Sequence, residues 1–151
     1  MNLEERRAKL TQLCNEGVKS PTFKPVESVT YCNCFVAYVA RGFGFRGFDG
    51  LMANQIIDRM KDAADFALVA PKAAQDLAND GRLVIAGLKG EVMQNGHLDH
   101  GHVAVVYPGS MLFSGKWNED CPLLANVGKE NKIFGANYAF REKPEYWAWV
   151  S

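Results

Sequence analysis

Apolar residues recur at helical intervals along the first third of the chain. Leu3, Leu10, Leu13 and Cys14 share one face of residues 3–17, which predicts an amphipathic helix with Gly17 as its stop. Ser20-Pro21-Thr22-Phe23-Lys24-Pro25-Val26 holds two prolines and reads as loop. From Cys32, apolar residues follow at offsets of three, four, seven and eight: Phe35, Val36, Val39 and Ala40. That spacing is one helical face and predicts a second helix beginning near Cys32. Residues 41–50 alternate glycine with aromatic side chains and read as a loop; Phe43, Phe45 and Phe48 are assigned to the core ahead of substrate contact. A third helix is expected over 51–64, with Met52, Ile56, Ile57 and Met60 turned inward. Pro71 opens a short helix that Gly81 closes.

Past Gly81 the period changes. Leu83–Ala86 and Val103–Tyr107 are short apolar runs of the kind that form buried strands. Lys132–Phe140 and Tyr146–Val150 are further strand candidates. In the second, Trp147 and Trp149 fall on one face, as in an edge strand. Helices first and strands afterwards predict an α+β domain with a mostly antiparallel sheet. No internal repeat or linker divides residues 1–151, so one domain is expected.

Composition narrows the functional classes. At 151 residues, a chain buries roughly 68–70% of its unfolded surface, enough for a core without staples. Hydrophobic residues make up 48%, which excludes a disordered reading. Seventeen basic and seventeen acidic residues cancel. That balance gives no broad attraction to nucleic acid or to an anionic membrane, and neither is expected as a partner. The start, Met1-Asn2-Leu3-Glu4-Glu5-Arg6-Arg7, is charged, with no apolar stretch behind it. No secretory signal is expected there, so action outside the cytosol would need another route. Cys14, Cys32, Cys34 and Cys121 are too few for a disulfide scaffold, although one bridge stays open.

Two positions suit nucleophilic chemistry. Cys32 stands at the predicted helix start, where unpaired amides and the helix dipole favour a thiolate and bind an oxyanion. Its bland reading is a small buried apolar residue. His102 heads the strand Val103–Tyr107 after Gly101, and an imidazole there can move a proton from a thiol to a leaving amine. Its bland reading is a hydrogen-bonded structural histidine. His97, Asp99, His100 and His102 also cluster in the manner of metal ligands. They lack the spacing of a helical His-Glu-x-x-His site and no Cys-x-x-Cys completes them, so neither a metal nor another cofactor is expected.

Cys32-Asn33-Cys34-Phe35-Val36 resembles the Cys-Ser-Gly-Phe-Val nucleophile motif of NlpC/P60 peptidases. Leu83–Gly90 followed by Gly101–Val106 is similar to the corresponding segments of type VI secretion amidase effectors of the first subfamily, a compact NlpC/P60-like group. Met52-Ala53-Asn54 before the third helix resembles them too. The resemblance runs from about residue 28 to the end. It implies a papain-like α+β fold with N-terminal helices packed on the sheet. It also implies hydrolysis of the peptide stem of peptidoglycan, typically between D-glutamate and meso-diaminopimelate. Delivery by a type VI secretion apparatus into a rival's periplasm, and a cognate immunity protein in the producer, follow from it. By position Cys32 is the nucleophile, His102 the base and Cys121 the third member, with Asp120 and Asn126 as alternatives.

The chain departs from that pattern at Asn33-Cys34, where the motif has Ser-Gly, at Tyr31, and in a segment 91–100 that is longer than in relatives and adds His97 and His100. Two rivals remain: a housekeeping or phage wall amidase of the CHAP class, and a catalytically inactive wall-binding or immunity-binding module.

Overall fold

The computed structural model describes residues 1–90 and 101–150. Helix α1 (Leu3–Lys19) starts on an Asn2 side chain that accepts from the Glu5 amide at 2.8 Å. It runs past Gly17, which is a packing position and not the expected stop. A Cβ at Gly17 would lie 2.2 Å from the Phe35 ring, so glycine lets α1 close onto helix α2 (Cys32–Gly42). Between them, Pro21–Phe23 form one 3₁₀ turn inside the expected loop. Leu10, Cys14, Phe35, Val36, Val39 and Ala40 are buried there.

Helix α3 (Ala53–Asp62) buries Ile56, Ile57 and Met60 as expected. Met52 stands outside the helix, 48% exposed, because it is the residue at which the helix begins. Strand β1 (Phe66–Val69) follows, then α4 (Pro71–Asn79), β2 (Val84–Leu88) and β3 (His102–Val106). The remaining elements are β4 (Leu112–Ser114), β5 (Glu119–Cys121), β6 (Leu123–Asn126), β7 (Lys132–Gly135), α5 (Ala136–Ala139) and β8 (Glu145–Trp149). Among the described residues, six strands make one antiparallel sheet in the order β1-β8-β2-β3-β6-β7, while β4 and β5 form a separate hairpin. The protein is therefore an α+β fold built on an antiparallel sheet.

Two strand expectations change. The run from Lys132 is a strand only to Gly135 and then turns into α5, whose first amide bonds to the Pro122 carbonyl. The tail strand β8 is interior, flanked by β1 and β2. Tyr146, Trp147 and Ala148 are all buried, so both of its faces are covered. The edge beyond it is β1, a four-residue strand too short to show a period.

Sheet register sets up the site. Val105 of β3 pairs with Ala125 of β6. Side chains alternate between faces along a strand, so His102 and Asn126 project from the same face. Helix α2 packs along β3, bringing its first turn to the strand that starts with His102.

Candidate active site

Cys32 opens α2, and no side chain caps that end: Tyr31 occupies the capping position without a side-chain hydrogen bond. The first intrahelical bond is Phe35 N–H to Tyr31 O, at 3.0 Å. The amides before it have no partner within the helix. Asn33 fixes this end laterally, donating through Nδ2 to the Leu51 carbonyl at 3.0 Å. The Cys32 side chain turns inward and is 7% exposed. The backbone amides of Val103 and Asn33 favour the charged form of its sulfur. Val103 is the residue after His102, and α2 packs along the strand that His102 opens. Burial pushes the Cys32 thiol above its ordinary pKa, and the charge of Cys34 adds to this; the Val103 and Asn33 amides pull the other way and lose. The expected lowering at a helix start is outweighed by loss of water. Cys34 is exposed, and all four cysteines are free thiols.

His102 is held by contacts of known type. Asn126 donates from Nδ2 to the Glu130 carbonyl at 2.8 Å. A carbonyl only accepts, so the amide's orientation is fixed. Asn126 Oδ1 then faces His102 Nε2 at 2.6 Å. That oxygen only accepts, so Nε2 carries the hydrogen and Nδ1 holds the lone pair of the neutral ring. The ring packs against Phe140, with centroids 5.0 Å apart, and a Cβ at Gly128 would stand 3.2 Å from its Cε1. Gly101 sets the approach. Its φ is 76°, and a Cβ there would meet Asn54 Oδ1 at 2.3 Å, so only glycine fits this turn into β3.

A cleft of about 490 Å³ lies beside the imidazole. Ser28 and Thr30, just ahead of α2, line one part of it; His102, Asn126, Gly128 and Phe140 line another. Such an arrangement can accept a proton at Nδ1, bind an anion at the helix start and admit a substrate to the ring.

The structure brings Cys32 and the His102 strand together, and sets Asn126 at the orienting nitrogen. Cys121 is buried at the end of β5, where its thiol meets Asn137 Oδ1 at 3.4 Å. Of the three residues weighed for the third position, Asn126 is the one hydrogen-bonded to the imidazole. Its signal in the sequence is a polar residue closing the apolar run Leu123-Leu124-Ala125. The roles of Gly128, Phe140 and the Val103 amide had no such signal. His97, Asp99 and His100 lie outside the described residues. Among the described residues, no group of three or more His, Cys, Asp or Glu is placed to hold a metal ion, and no helix is long and apolar enough to cross a membrane. Neither a family model nor a curated protein matches this chain.

Proposed function

We propose that this protein is a cysteine amidase of the NlpC/P60 kind that cleaves the peptide stem of peptidoglycan and serves as an antibacterial type VI secretion effector. The observation that carries the reading is a buried Cys32 opening a helix that packs along β3, the strand headed by a His102 ring whose tautomer Asn126 fixes. The segment resemblance supplies the substrate and the delivery route.

In this reading Nδ1 of His102 takes the Cys32 proton as the sulfur attacks the amide carbonyl. With the thiol raised above its ordinary pKa by burial, the sulfur needs a base to take its proton. The uncapped amides of α2 stabilise the oxyanion. Nδ1–H then protonates the departing amine, and water activated by the neutral ring releases the acyl group. Asn126 keeps Nε2–H occupied throughout, so the proton moves only at Nδ1.

The test is digestion of purified sacculi, with muropeptides read by mass spectrometry. Wild type is expected to release fragments cut between D-glutamate and meso-diaminopimelate, and folded Cys32→Ala none. Cleavage surviving in Cys32→Ala rejects the nucleophile, and other fragment masses favour the CHAP-type alternative. The near-complete burial of Cys32 favours one further reading, a wall-binding module without activity. It predicts that wild type pellets with sacculi yet yields no fragments.

A further inference from the structure

His102 is bordered by two cations that the mechanism above does not use. Gly128 abuts the imidazole, and Lys129 is the next residue. Phe140 packs on the same ring from a different part of the chain, and Arg141 is the next residue. Both cations line the cleft, where among the described residues they stand with Lys89 and a single carboxylate, Glu130. Lys89 is occupied by Asp58 at 2.7 Å. Among the described residues, Lys129 and Arg141 enter no ion pair. The formal charge of the whole chain is zero, so this excess among the described residues is local.

The Lys129 turn is also braced. Asn126 Nδ2 holds the Glu130 carbonyl at 2.8 Å. Asn131 Oδ1 accepts from the Gly128 amide at 2.9 Å, and its Nδ2 donates to the Phe23 carbonyl at 2.8 Å. The turn that orients the base is thereby the turn that presents the cation. Among the described residues, two cations outside any ion pair thus line the cleft of one imidazole, each the next residue after a neighbour of its ring.

We infer that Lys129 and Arg141 form a carboxylate-binding rim beside His102, so that the cleft selects a ligand carrying a free carboxylate next to the amide it presents. A guanidinium and an ammonium both bind carboxylate through charge-assisted hydrogen bonds. Lining the same cleft as the base, they would hold the amide in register with it. As a statement about substrate this rests on the amidase reading; as a statement about binding it does not.

The test measures binding on Cys32→Ala, which does not consume the ligand. The probes are the synthetic stem tripeptide L-Ala-γ-D-Glu-meso-diaminopimelate and the same peptide with the carboxylates flanking the γ-amide converted to carboxamides. Calorimetry is expected to give the acid form a Kd roughly tenfold lower at low salt, with the ratio shrinking at high salt. Adding Lys129→Gln and Arg141→Gln brings the ratio to within about twofold, and Lys129→Glu with Arg141→Glu inverts it. Arg7→Gln, an exposed charge change on α1, leaves it in place. Equal binding of the two peptides to Cys32→Ala, or a preference that survives the double variant, overturns the inference. The two readings fail separately: carboxylate preference without sacculus cleavage removes the amidase and keeps the rim, and cleavage without preference does the reverse.

Discussion

The two halves of the candidate site are held in different ways. His102 is fixed by side-chain chemistry: Asn126 at Nε2, Phe140 on the ring and Gly128 at its edge. Cys32 is fixed by backbone placement: the start of α2, a Val103 amide and burial. Backbone amides are supplied by any sequence that keeps the fold, whereas the imidazole needs one particular amide side chain facing one particular way. The base should therefore be the half more sensitive to conservative change around it. The nucleophile should be the half more sensitive to pH.

The largest expected effect beyond loss of the nucleophile comes from Asn126→Ala. Without Oδ1 the Nε2 hydrogen has no acceptor and the tautomer is released. The value of kcat/KM on a stem peptide should fall by about 10²–10³, less than the ~10⁴ lost when a buried carboxylate partner is neutralised. Stability should fall by about 1–3 kcal/mol for the buried amide's bonds. Cys121→Ala is the contrast. It should change kcat/KM by less than about threefold and cost about 1 kcal/mol in urea melts, through a small cavity. Steady-state kinetics that reverse this order would return the third position to Cys121.

A smaller effect is expected of Gly128→Ala. The added Cβ, 3.2 Å from His102 Cε1, must displace the ring by a few tenths of an ångström. A loss of roughly threefold to tenfold in kcat should follow, with KM held, because misplacement acts on the reacting geometry. An unchanged kcat would mean that the ring moves without cost, and that side-chain packing is not what fixes the base.

The last effect is one of pH, and it tests the burial that also governs the other half. Burial raises the thiols of Cys14 and Cys32 above their ordinary values in the fold. The unfolded chain then releases protons above about pH 8.5 that the fold retains. Stability from these groups is complete below that pH and declines as pH rises. For Cys14 the loss is about 2 kcal/mol by pH 10. Urea unfolding at pH 7 and pH 10 should show the decline, with a shallower slope in Cys14→Ala. Activity should move oppositely, rising with pH as Cys32 ionises more readily. Equal slopes for wild type and Cys14→Ala would refute the assignment to that thiol.

Much of the fold was legible because periodicity is a local property. The spacing of Phe35, Val36, Val39 and Ala40 marked α2, and Ile56, Ile57 and Met60 marked the buried face of α3. Strand rank within the sheet was not legible. The alternating tail looked like an edge, but β8 lies between β1 and β2, and the run from Lys132 bends into α5. Gly17 read as a stop because glycine often ends helices; the Phe35 ring that requires it there lies on another element.

By itself the sequence determined the secondary structure on either side of the site, a cysteine at a helix start, a histidine at a strand head, and the α+β order of elements. Each of these depends on residues within a few positions of one another. Only the tertiary structure decided that Asn126 and not Cys121 meets the imidazole, because strand register selects the face on which a side chain emerges. It alone put Lys129 and Arg141 beside one ring, and it set the thiol's pKa, since burial is a property of everything packed around the sulfur and of no single segment.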